Sequence, residues 1–125
     1  MQINNECVRD ILFVIEEKST FKHPCRMIGI KNYPALVKYE DDVLQYHLRY
    51  LFIKKLIFRP DEHDDFGYDL TPDGHEFISN VRDDNNWKKI KSVSSSIGFA
   101  SLKVVSAIAE GVATAGINQQ LGFSK

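Results

Sequence analysis

Apolar residues first settle into a helical rhythm at Val8, Ile11, Leu12 and Ile15, the i, i+3, i+4, i+7 spacing of one buried face. Asn4 or Asn5 stands in front of it as an N-cap, and the pattern predicts a helix ending near Lys18. From Ser19 to Tyr33 the rhythm is lost, with Pro24 and Gly29 as breakers. Arg26-Met27-Ile28-Gly29-Ile30 inside this segment reads as a short strand. Asn32-Tyr33-Pro34 reads as a cap with proline at the first helical position, and predicts a short helix through about Val37.

The rhythm returns between Tyr39 and Phe58, and the rest of the chain is organised around this stretch. Glu40, Asp41 and Asp42 favour the positive end of a helix dipole. Leu44, Leu48, Leu51 and Phe52 are its expected buried side, with Val43, His47 and Lys55 as flanks and Gln45, Tyr46, Arg49, Tyr50 and Ile53 turned outward. Leu56-Ile57-Phe58 then reads as extended. An acidic turn from Asp61 to Asp65 and a second extended run, Phe66 to Leu70, complete a hairpin. Thr71 and Pro72 are a cap and first position for the next helix, whose apolar side is Phe77, Ile78 and Val81.

Asp83-Asp84-Asn85-Asn86 breaks that pattern and caps a further helix carrying Trp87 and Ile90. A Ser-rich link over Ser92 to Ser96 is expected next, then a last helix from Phe99 to about Gln119. Its polar stripe is narrow: Lys103, Ser106, Glu110 and Thr114. The remaining arc, Leu102, Val104, Val105, Ile108, Ala109, Val112 and Ala115, is wide enough to predict burial on most sides.

Helix, hairpin, helix in that order is the second half of a winged helix-turn-helix. The expected class is therefore α+β, mainly α, with a two- to three-stranded wing sheet and extra C-terminal helices. Residues 1–83 would form the winged-helix domain, and residues 84–125 a helical extension packing on it and on a second copy.

Composition adds little: 43% apolar and 26% charged residues in 125 suit a globular chain that folds without metals or disulfides. Cys7 and Cys25 make no disulfide framework and no basic-then-apolar leader opens the chain, so a cytoplasmic protein with free thiols is expected. Charge is more informative, because residues 60–86 hold nine acids and one base, whereas residues 1–59 hold ten bases and seven acids. The acid lies on the hairpin and the helix after it.

Three segments carry a resemblance. Tyr46-His47-Leu48 with Leu51 and Leu56-Ile57, Leu70-Thr71-Pro72-Asp73-Gly74-His75-Glu76-Phe77, and Val81-Arg82-Asp83-Asp84 with Trp87 and Lys88 resemble an uncharacterised family of small winged-helix proteins of bacteria and their phages, a domain of unknown function. The resemblance covers roughly residues 5 to 110 and implies the fold and a prokaryotic or phage origin. It implies no activity, cofactor or catalytic residue. The chain departs from the family at Lys54-Lys55, where a small residue and Gly are usual, so the exit of this helix is expected to be tighter or longer.

Candidate chemistry is sparse. His63 among Asp61, Glu62, Asp64 and Asp65 lacks the ligand spacing of a calcium loop, and an acidic turn is ordinarily just solvated. His23-Pro24-Cys25 and Cys7 lack a CxxC or HxxxH companion, and isolated thiols are usually small buried hydrophobes. Neither metal nor cofactor is expected, and no catalytic residue is assigned. His47 and His75 are read as structural imidazoles bonding a carbonyl or carboxylate.

The outward side of the 40–55 helix is the strongest candidate surface. Tyr46, Tyr50 and Ile53 are costly to leave exposed together. In a DNA-binding winged helix this face enters the major groove, where Gln45, Arg49, Lys54, Lys55 and Arg59 are able to touch bases or phosphates. Against DNA stand the acids of the wing and Glu40-Asp41-Asp42, because phosphate neutralisation supplies most non-specific affinity. A non-enzymatic phage or prophage module is therefore expected to bind a host or phage protein through Tyr46, Arg49, Tyr50, Ile53, Asp61, Glu62, Asp64 and Asp65, with a basic nucleic-acid-binding protein among the candidates. A dimeric transcription regulator is the alternative.

The last helix is long enough to raise a membrane span. Lys103 and Glu110 would cost about 2.5–3.5 kcal/mol each at mid-bilayer, against roughly 0.3–0.6 gained from each Ile, Leu, Val or Phe, so insertion loses. Leu102, Val105, Ala107, Gly111, Val112 and Ala115 are instead expected to form a homodimer contact.

Overall fold

The structure, a computed structural model, describes residues 1–96 and 102–120. It is α+β and mainly helical, and the chain divides into two compact units, Met1–Glu76 and Phe77–Lys125.

In the first unit α1 spans Asn5–Lys18, and the Asn4 side chain accepts from the amides of Glu6 and Cys7, satisfying two donors that no helical carbonyl reaches. Val8, Ile11, Leu12 and Ile15 are wholly buried, as the spacing requires. Cys7 and Val14 join them. Each aliphatic side chain so buried contributes about 1.5–3 kcal/mol.

The segment after α1 differs from expectation. The strand β1 is Cys25–Arg26 rather than 26–30, because Gly29 enters the left-handed region at φ 67° and turns the chain out of line. The expected helix over 34–37 is replaced by two 3₁₀ turns, Ile30–Asn32 and Pro34–Leu36. Tyr33, preceding a proline, is held extended at φ −75°, ψ 125°, so neither turn can propagate through it. Ile30 and Leu36 nonetheless reach the core as fully buried anchors.

The helix α2 spans Asp41–Ile53, and β2 (Ile57–Phe58) and β3 (Gly67–Leu70) form the hairpin. The sheet is antiparallel in the order β1-β3-β2, pairing Cys25 with Tyr68 and Ile57 with Leu70. Opposite residues share a face, so Ile57 and Leu70 are buried side by side. Between α2 and β2 the chain makes a Schellman turn: Lys55 N–H donates to Phe52 O at 3.1 Å and Leu56 N–H to Leu51 O at 3.1 Å. Lys55 occupies its left-handed position at φ 62°.

That turn is tied to the next helix, α3 (Pro72–Val81). The Thr71 hydroxyl donates to Lys55 O at 2.6 Å and accepts from Gly74 N–H at 3.1 Å, while Thr71 N–H donates to Leu56 O at 3.0 Å. Gly74 is needed here, since a Cβ would overlap the Leu56 carbonyl oxygen.

In the second unit α4 spans Asp84–Ser96, capped by Asp83, whose carboxylate accepts from Asn86 N–H at 2.9 Å. The expected Ser-rich link is thus helical. Ser94 shows how serine is accommodated: its hydroxyl donates to Ile90 O at 2.8 Å, one turn back. Trp87 and Ile90 are buried. The helix α5 spans Leu102–Gln120 and packs on α4; its expected start at Phe99 lies outside the described residues. Leu102, Val105 and Ala109 are buried, whereas Val104, Ile108 and Val112 are half-buried and Ala115 is exposed. The wide apolar arc is therefore covered on one side, where α4 lies.

Candidate surface on the outer face of α2

The inner side of α2 buries Leu44, Leu48, Leu51 and His47. His47, expected on a flank, is completely enclosed, and both ring nitrogens are used: Nε2 lies 2.8 Å from the Asn4 amide and Nδ1 2.8 Å from Val43 O. Because the Asn4 amide can only donate and the carbonyl can only accept, the ring is the Nδ1–H tautomer. The imidazole is structural, joining α2 to the N-cap of α1. His75, by contrast, is exposed.

With that side committed, the helix turns Gln45, Arg49 and Ile53 to solvent and leaves Tyr46 and Tyr50 half-buried. Ile53 is 69% exposed. Phe52, expected in the core, is 37% exposed, because it falls at the edge of the stripe that Leu44, Leu48 and Leu51 bury. It meets Tyr68 of β3 edge-on with centroids 6.1 Å apart. The exposure of Phe52 and its contact with the half-buried Tyr68 were not legible from the sequence. Their pairing depends on hairpin register, which no local spacing reports.

Three cations lie on rings of α2: the Arg49 guanidinium 5.3 Å from the Tyr46 centroid, Lys54 Nζ 6.0 Å from that of Tyr50, and the Arg59 guanidinium 5.0 Å from that of Phe52. Part of the cover expected over Tyr46 and Tyr50 is thus intramolecular. Arg59 also pairs with Asp65 at 3.0 Å. Lys55, the remaining basic candidate, is exposed at the left-handed turn.

The acidic turn departs from the simple picture of a solvated charge cluster. Asp64 accepts from Arg26 Nη1 at 2.7 Å and from Phe66 N–H at 3.0 Å. Asp61 accepts from His63 N–H at 2.9 Å, closing the turn. Two of the four carboxylates are therefore neutralised locally, and Asp64 is a fold residue. Asp61 and Glu62 remain as exposed negative charge. A cleft of about 380 Å³ lies between this turn and the loop carrying Phe21 and His23, lined by charges of both signs.

Among the described residues no group of three or more His, Cys, Asp or Glu side chains could hold a metal ion. Cys7 and Cys25 are buried free thiols. Burial, reinforced by Asp10, pushes the Cys7 thiol up to about 12, and burial raises Cys25 as well. Protonated thiols of this kind are poor nucleophiles at neutral pH. No described helix is long and apolar enough to cross a membrane. Of the residues expected to join two copies, Leu102 and Val105 are buried within the chain, Val112 is half-buried, and Ala107, Gly111 and Ala115 are exposed.

These observations describe a small, mainly helical α+β protein whose most distinctive surface is an aromatic, cation-bearing helix face. The family described as "Hypothetical protein (DUF2513)" matches residues 2–100, and the chain belongs to it. No curated protein and no solved structure matches the chain.

Proposed function

We propose that this chain is a winged-helix protein of phage or prophage origin that acts in the cytoplasm without catalysis, by binding a host or phage protein. The element order supports the fold reading: α1, β1, a 3₁₀ pair in place of a second helix, α2, β2 and β3, with β3 central in the sheet. In that arrangement α2 holds the place of the recognition helix and the β2–β3 hairpin is the wing.

The observation that carries the functional reading is the makeup of the outer α2 face. Ile53 stands exposed among Tyr46, Tyr50 and Arg49, the residue types that anchor protein interfaces. Asp41 and Asp42 at one end and Asp61 and Glu62 at the wing tip are exposed and would repel a duplex. Self-association through the exposed side of α5 belongs to the same reading, which expects a dimer.

The alternative, a DNA-binding regulator, draws on Arg49 and Lys54, whose charges meet rings and not carboxylates among the described residues. Titration against a labelled random duplex from about 50 to 200 mM salt separates the two. The protein-binding reading expects no binding even at the lowest salt. Tight binding that falls by orders of magnitude over that range would overturn it in favour of the regulator.

A further inference from the structure

The three cation-on-ring pairs on the rings of α2 are chemically alike but not equally occupied. At Arg59 the arrangement is closed: the guanidinium lies over Phe52 and its outer edge takes the Asp65 carboxylate at 3.0 Å. Arg49 over Tyr46 and Lys54 over Tyr50 repeat the geometry, yet among the described residues no carboxylate reaches either. Both cations are exposed, and the exposed Ile53 lies between them around the helix, one turn after Arg49 and next to Lys54. A cation held on a ring has surrendered part of its hydration and side-chain freedom, so a carboxylate arriving there meets a pre-ordered donor.

We infer that the C-terminal half of the α2 face binds a short acidic segment of a partner protein, with carboxylates on Arg49 and Lys54 and an apolar side chain on Ile53. This rests on the protein-binding reading and reverses the sign of partner that the acidic wing suggests. Charge complementarity sets both the class and the length. Arg49, Lys54 and Lys55 attract an anion, but Asp41 and Asp42 lie at the other end of a 13-residue helix, about 20 Å long, and Asp61 and Glu62 lie at the wing tip. A long polyanion such as a nucleic acid would run into these acids; a segment carrying a few carboxylates would not. Asp65 on Arg59 is the example, within the chain, of how such a carboxylate is held.

Selection of a displayed random peptide library against the full chain tests this, with the Arg49→Gln/Lys54→Gln double variant as counter-target and Lys31→Gln, an exposed base outside the face, as control. Winning peptides are expected to be enriched in Asp and Glu beside an apolar residue and to bind the Lys31→Gln protein as they bind the parent. A synthesised winner is expected to lose about tenfold or more in affinity for the double variant, and similarly when its own Asp and Glu become Asn and Gln. Circular dichroism of the variants should match the parent, since both substituted side chains are exposed. Three results would each overturn the inference: absence of winners, winners without acidic enrichment, or winners indifferent to the double substitution. Tighter binding of a random single-stranded oligonucleotide than of any winner would overturn it in favour of nucleic acid. If the selection fails while random duplex remains unbound, only the acidic preference falls. Salt-sensitive duplex binding instead removes the protein-binding reading itself.

Discussion

The two faces of α2 are built from the same thirteen residues under opposite constraints. On the inner face Leu44, His47, Leu48 and Leu51 lose nearly all contact with water, and each polar atom of His47 is matched by one backbone partner. On the outer face Arg49 and Ile53 are exposed and Tyr46 and Tyr50 half-buried, with Arg49 resting on the Tyr46 ring and Lys54 on that of Tyr50. Tight packing makes the inner face intolerant of change, whereas the outer face can be altered with little effect on folding. The difference separates residues that hold the fold from residues available for recognition.

The largest expected effect lies inside. Leu51→Ala should cost about 2–5 kcal/mol, read from urea unfolding, while Ile53→Ala two positions on should stay within about 0.5 kcal/mol. Equal losses at the two positions would erase the distinction between the faces. Next is the helix exit, where Gly74→Ala forces a methyl into the Leu56 carbonyl and should destabilise by about 1–3 kcal/mol or more. A smaller loss, about 0.5–1.5 kcal/mol, is expected for His47→Leu, which removes the acceptor of the part-buried Asn4 amide. Hydrogen exchange at that amide should speed up accordingly.

High pH probes the same core. Burial raises the Cys7 thiol from 9.0 to about 12, and raises Cys25 and Tyr39 too, with Tyr39 also held protonated by donating to Asp10 at 2.7 Å. In the window above the ordinary thiol value the folded chain keeps protons that the unfolded chain has lost. Stability is therefore complete below pH 9 and falls as pH rises toward 12. Unfolding free energies measured between these limits should show a shallower fall in Cys7→Ala than in the parent. A parallel fall would remove Cys7 as a contributor.

The smallest effect has the opposite sign. Lys55 sits at φ 62°, strained for any residue with a Cβ, so Lys55→Gly should stabilise by about 0.5–1 kcal/mol. A destabilised glycine variant would mean that the Lys55 side chain makes contacts outweighing that strain.

Several features of the first unit were legible because they are local. The Asn4 cap and four-residue stripe of α1, the Thr71-Pro72 start of α3 and the core side of α2 at Leu44, Leu48 and Leu51 follow from periods and caps spanning a single turn. The short β1, the 3₁₀ turns around Tyr33 and the exposure of Phe52 were not legible. Each depends on a backbone torsion or a hairpin register that similar side chains would tolerate in more than one form.

The sequence by itself determined which residues must leave water and where the helices begin, because hydrophobic burial and N-capping act over a few residues and tolerate few alternatives. Only the tertiary structure decided which charges were already spent. Asp64 on Arg26 and Asp65 on Arg59 look no different in the sequence from Asp61 and Glu62, and Arg49 looks no different from Arg59. Ion pairs and ring contacts form between chain positions that folding brings together, and the free energy of each depends on distances of a few ångströms that no one-dimensional pattern contains.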